Sequence, residues 1–359
     1  MGIVCKLYRI VLEYGNIWFS TEGHLWIDVL GQEQSSYSFL SKEFNEWLTG
    51  EYERQYQSYV NLSTETIRRL IHRLSSFKGK LPIYPVFRRI GEHKNKLFID
   101  LRNETHQVVE VSDTGWKVIN YKNCPVRFIR SQSQNYQLQR IMILKPEKEK
   151  KLNELKRFLQ VSEIAFSYII DWLCLSFIPT GKKPILVIKG DEQRNKILAF
   201  LKRLIDPFSL ILTKIPPTRE LMKIAYNEWV LGYEVSSLSK SQYRAVYQLA
   251  TGNNKYGYIR PQIIATENWH SDEFLSAHSW VISVEQMRTE REGVNLETEF
   301  IRTRGYFLGA LLDRLVEELK NYKNLVEMSD YYLQRMWKQK INQLEKIFIE
   351  TDEMHCQTL

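Results

Sequence analysis

The sequence predicts an α/β fold: a parallel sheet flanked by helices, preceded by a smaller α+β domain with an antiparallel β meander and followed by C-terminal helices. Three observations predict it. After Pro184, the branched apolar run Ile185-Leu186-Val187-Ile188 ends at Gly190, and residues Ile197 to Ile205 then follow a helical pattern. That order of strand, turn and helix is the unit from which parallel sheets are built. Upstream, from Ile83 to Ile129, short β-type runs alternate with turn residues at even spacing, as in a meander. Downstream, Leu311 to about Ile349 places apolar residues at helical spacing.

The bulk properties exclude several classes. A chain of 359 residues has room for two domains. No apolar run reaches the ~18 residues of a membrane helix; the most apolar stretch, Ile164 to Ile178, is interrupted by Asp171 and reads as a buried core helix. The start, Met1 to Lys6, lacks the ordered regions of a signal peptide. Gly2 is followed by Lys6 where a myristoylation motif needs Ser or Thr. Cys5, Cys124, Cys174 and Cys356 stand far apart, which excludes a zinc site or disulfide framework and fits a cytoplasmic protein with free thiols and no bound metal. The net charge of +8 permits binding to nucleic-acid phosphates without demanding it.

Taken in order, residues 1 to 40 alternate in a strand-like way, with a hairpin formed by Asn16–Phe19 and Leu25–Leu30 across Thr21-Glu22-Gly23. Ser41 caps a helix from Lys42 to about Tyr56, with Phe44, Trp47 and Leu48 on one face. Ser63 caps a second, through Ile67, Leu70, Ile71 and Leu74. Its opposite side makes Arg68, Arg69 and Arg73 candidate DNA-phosphate contacts, although such a row is also what a solvated helix face carries. The meander comprises Ile83–Ile90, Lys96–Leu101, Gln107–Val111, Gly115–Ile119 and Val126–Ile129. The polar stretch Ser131–Tyr136 and the charged Lys145–Lys151 mark a boundary. The resulting division is 1–145, 146–310 and a helical region with a polar tail at 311–359. In that last region Met336 and Trp337 belong to an apolar stripe suited to core or subunit contact.

The segment Gly190-Asp191-Glu192-Gln193-Arg194-Asn195-Lys196-Ile197 has the frame of a phosphate-binding loop, G-x-x-x-x-G-K-[ST]. Asn195 stands in place of the second Gly, and Ile197 in place of the hydroxyl residue. Gly190, Asn195, Lys196 and Ile197 are therefore the candidate nucleotide-binding positions. Asn tolerates the left-handed backbone region better than most residues, and Lys196 keeps its charge. Ile197 offers no ligand to Mg²⁺.

The order of further segments resembles the ATPase half of plasmid- and phage-type primase–helicase proteins, whose motor is similar to superfamily-3 helicases of the AAA+ class. The resemblance extends from Trp18 to Leu319. It is carried by Leu40-Ser41-Lys42-Glu43-Phe44-Asn45-Glu46-Trp47-Leu48, Val109 to Trp116 and Pro125 to Arg130 in the first part. In the second it is carried by Asn227 to Glu234, Leu249-Ala250-Thr251-Gly252, Arg260 to Thr266 and Phe307 to Asp313. The resemblance implies an AAA+ P-loop domain, ATP as cofactor, DNA as partner and assembly into a ring. It places Glu234-Val235 at the Walker B position, Ala265 at a sensor Asn and His278 at an arginine finger. A neutral His does not replace a fixed cation. With several cooperating positions altered together, the expectation is a degenerate AAA+ module that does not hydrolyse ATP and acts in DNA or partner binding. The alternatives are an active ATP-dependent helicase using Lys196 and Glu234, and a regulator that co-assembles with an active ATPase ring.

Overall fold

A computed structural model describes residues 2–30, 36–103, 105–129, 148–207, 211–269, 278–284, 296–322, 324–331 and 333–334. The polar stretch at 131–136, Met336, Trp337 and the tail lie outside these residues. The chain divides into two units. The first holds Met1–Lys94, Phe98–Glu110 and Lys117–Arg140; the second holds Asn95–Leu97, Val111–Trp116 and Ile141–Leu359.

The first unit opens with a helix, α1 (Ile3–Tyr14), where strand-like alternation was expected. The reason lies in the spacing: Leu7, Ile10 and Val11 recur at helical intervals and are fully buried. The expected hairpin follows as β1 (Gly15–Ser20) and β2 (Leu25–Val29), paired antiparallel with Trp18 opposite Trp26. A short β3 (Ser36–Ser38) joins the far side of β2. Helices α2 (Lys42–Tyr56) and α3 (Thr64–Ser75) begin where expected, because Ser41 and Ser63 accept hydrogen bonds from Phe44 N–H and Thr66 N–H. These three helices cover one face of the sheet. Leu7, Phe44, Leu48 and Leu70 join Ile17, Phe19 and Ile27 in one core.

The run Ile83–Ile90 does not form one strand. Pro85, which cannot donate to a ladder, separates β4 (Ile83–Tyr84) from β5 (Val86–Phe87), and the two enter different sheets. β4 pairs parallel with β1. β5 pairs parallel with β10 (Arg127–Phe128), which thereby leaves the meander it was expected to close. The meander proper is β6 (Ile90–His93), β7 (Lys96–Asp100), β8 (Gln107–Ser112) and β9 (Gly115–Asn120), each beside the next.

The second unit starts with α4 (Lys148–Leu159) and α5 (Glu163–Ser176). Helix α5 is buried over most of its surface, Asp171 included. A parallel sheet follows, made of β11 (Ile185–Gly190), β12 (Ile211–Leu212), β13 (Leu231–Glu234), β14 (Gln262–Thr266) and β15 (Ser279–Val284). Its spatial order is β12-β13-β14-β11-β15. Helices α7 (Thr218–Asn227) and α8 (Lys240–Thr251) bury Leu221, Ala225, Val246 and Leu249 against Ile185, Val187, Tyr233 and Ile264. Helix α6 (Gln193–Ile205) contacts β11, β13 and β14, so the sheet has helices on both faces. Phe158, Phe200, Phe300 and Phe307 lock α4, α6 and α9 (Leu296–Asn321) ring against ring. Helix α9 runs unbroken through position 311. Among the described residues, no single helix is long and apolar enough to cross a membrane.

One buried charge is held inside this unit. Lys202, on α6, donates to the Val230 carbonyl at 2.6 Å and meets Glu228 Oε2 at 3.2 Å. Burial drives its pKa down, while Glu228 and Asp206 oppose that shift. Glu228→Ala is expected to destabilise the fold by about 3–5 kcal/mol in urea unfolding, since the buried Lys202 loses its ion-pair partner. Adding Lys202→Met to that variant is expected to recover most of the loss.

Candidate functional site

Parallel sheets bind ligands outside the carboxyl ends of their strands, where strand order reverses. Here β11 is that point: the next strand in sequence lies at the far edge of the sheet, and the last strand lies on the other side of β11. The carboxyl ends bring together Gly190, Glu234 and Thr266, since Lys189 pairs with Thr266 and Glu234 with Ala265. Gly190, Asn195 and Glu234 are thus gathered at one edge.

Gly190 has φ 151°, a conformation that L-residues rarely adopt. A Cβ there would lie 2.3 Å from the Val284 carbonyl oxygen. The glycine lets β11 and β15 approach.

The turn after Gly190 is closed by its own hydrogen bonds. Only Asp191 and Glu192 separate strand β11 from helix α6. Gln193 N–H donates to the Asp191 carboxylate at 3.0 Å. Arg194 N–H donates to the Asp191 carbonyl and Asn195 N–H to the Glu192 carbonyl. These are the amides that a phosphate would need. Each already has an acceptor, and one acceptor is an anionic side chain standing where an anion would approach.

The side chains complete the closure. Asn195 Nδ2 donates to Glu234 Oε1 at 2.7 Å, so the two candidate positions meet each other. Arg194 donates to the Gly190 carbonyl at 2.8 Å and pairs with Glu267 at 3.0 Å. Sequence reasoning passed over Arg194, although a basic residue at a helix start below a strand end is the available signal. Lys196 is exposed on the first turns of α6. Ile197 and Ala265 are fully buried. Nothing at position 197 reaches a cation, and the described residues contain no cluster of three metal-ligating side chains. These residues do not fit a bound Mg²⁺.

His278 precedes Ser279, which pairs with Ile185 at the opposite end of the sheet from Gly190. Its carbonyl accepts from Ile185 N–H, and its ring meets Tyr247 edge-on at 4.9 Å. Within one chain it stands away from the loop. On α3 in the first unit, Arg68 is exposed, Arg69 pairs with Glu65 at 3.0 Å, and Arg73 lies over the Tyr8 ring at 4.3 Å.

Gly190→Ala is expected to lower stability by about 1–3 kcal/mol in the absence of any nucleotide, because the added methyl group meets backbone from a strained conformation. Thermal unfolding of the variant checks this.

No protein-family model matches the chain, and no curated protein does. Among solved structures it is similar to the A-form apo structure of the NrS-1 C-terminal region, at 11% identity and TM-score 0.47, over 92% of this chain and 73% of that one. A second apo structure of that region gives 12% identity and TM-score 0.44, over 90% and 74%. At these values the likeness carries no functional argument, and the functional reading rests on the site.

Proposed function

We propose that the chain is a degenerate AAA+-type module that does not hydrolyse ATP and works by binding DNA or a protein partner. One observation carries this reading: the backbone amides at positions 193–195 are already bonded to Asp191 and Glu192. Catalysis of phosphoryl transfer needs a cradle, a metal clamp and a positioned nucleophile acting together. The central loop-bearing strand, the reversal of strand order beside it and helices on both faces are the frame that such a module would retain. The buried Ile197 and the Asn195–Glu234 hydrogen bond are what supports loss of the chemistry. The DNA-binding half of the proposal is supported by the net charge of +8 and by the exposed Arg68 on α3.

The test is a titration with ATP and Mg²⁺, followed by a phosphate-release assay with and without single-stranded DNA. The expected result is no phosphate release, unchanged by Lys196→Ala. Release that disappears in Lys196→Ala would restore the motor and overturn the proposal. DNA affinity is expected to fall steeply with salt, as phosphate contacts require, and to be indifferent to ATP.

A further inference from the structure

The first unit contains a cavity of about 450 Å³ beside the start of β1, with Leu12, Asn16, Ile17, Asp28, Tyr84 and Arg127 among its walls. Strand geometry fixes which backbone groups turn toward it. Ser20 N–H donates to the His24 carbonyl, and Leu30 N–H to the Tyr14 carbonyl. In an antiparallel pair, alternate residues exchange hydrogen bonds, so the even positions of β1 bond to β2. The odd positions direct N–H and C=O to the other side. There β4 pairs only with Phe19 and Ser20, and Phe19 N–H takes the Pro82 carbonyl. From Gly15 to Ile17 no strand among the described residues covers that edge, and Ile17 presents both a donor and an acceptor along the cavity wall.

The polar side chains are held in place. Asp28 Oδ1 accepts from Trp18 Nε1 at 2.8 Å and from the Ser36 hydroxyl at 2.6 Å. Its other oxygen lies 3.4 Å from Arg127 Nε. Arg127 is 8% exposed, donates to the Cys124 carbonyl at 2.7 Å and lies 3.9 Å from the Tyr84 ring centre. Its Nε is buried and faces the Asp28 carboxylate, so the pair is held rigidly at the cavity wall.

These features restrict the occupant. Asp28 and Arg127 balance each other, so the cavity suits a neutral ring and not a phosphate. Its size is that of a small-molecule site. Aromatic walls with a few oriented polar groups are how proteins hold bases outside a duplex. An extended peptide would need a longer open edge than the three residues left by β4.

We propose that this cavity binds a nucleobase, with the Ile17 strand edge, Asp28 and Arg127 reading its polar rim beside Tyr84. A carboxylate accepts hydrogen bonds, so Asp28 takes a base by an N–H on its rim. The site lies in a different unit from the Gly190 loop, so the proposal goes beyond the function above and stands apart from the fate of ATP.

The test is fluorescence anisotropy of the full chain with labelled oligo(dA), oligo(dT) and an abasic strand of equal length, with free deoxyadenosine and thymidine as competitors. The expected result is oligo(dA) and oligo(dT) each binding about tenfold tighter than the abasic strand, equivalent to ~1.4 kcal/mol. Leu12→Phe, at a half-exposed position on the rim, is expected to abolish that difference while leaving abasic binding and the unfolding temperature unchanged. Competition by a free nucleoside identifies a mononucleoside ligand; competition by strands alone identifies a base presented by single-stranded DNA. Equal affinity for abasic and base-bearing strands, or a preference that survives Leu12→Phe, would overturn the proposal. Phosphate release would sink the function proposed above and leave this site untouched.

Discussion

The second unit depends on the approach of two backbones at Gly190. The strand that carries the loop sits between β14 and β15, and its last residue lies so close to Val284 that no side chain fits. That contact ends the strand abruptly. Helix α6 then begins within two residues, and the Asp191 carboxylate accepts from its first N–H. Once the helix starts there, Asn195 comes within reach of Glu234 and Ile197 turns into the core. These contacts are all anchored by the same tight turn.

Residue spacing at this turn does not by itself make a phosphate site. A phosphate-binding loop works because its amides converge on a space with no protein acceptor in it. In this chain the number of residues between Gly190 and Lys196 fits the motif, but those residues spend their amides on one another. Lys196 stands on an exposed helical turn, without the convergent amides that would make it part of a site.

Much of this fold is legible in the sequence. The caps at Ser41 and Ser63, the hairpin at Thr21-Glu22-Gly23, and the apolar strand before Gly190 are local signals with local causes. Misreadings arise where two patterns compete. Residues 3–14 contain enough branched apolar side chains to suggest strands, yet their spacing makes a helix once α2 and α3 supply a surface to cover. Ile83–Ile90 has strand composition throughout, yet the missing N–H of Pro85 sends β4 and β5 into different sheets. At the candidate site, Gly190 is conspicuous but its role is packing. The bond from Asn195 to Glu234 joins residues far apart in sequence and follows from the sheet register, which no local pattern encodes. The cavity beside β1 is hidden for the same reason: it exists because β4 stops short.

The strand order also bears on how the chain is made. Ile185 reaches its final neighbours only when Gln262 and Ser279 have been added. During synthesis at roughly 5–20 residues per second, the most apolar strand of the protein therefore waits unpaired on both sides, while the core of the first unit draws on segments already complete. Non-local parallel pairing of this kind is slow and exposed to aggregation. Lys189 and the charged run that follows Gly190 stand beside that waiting strand. Charges placed at the end of such a strand disfavour its pairing with copies of itself.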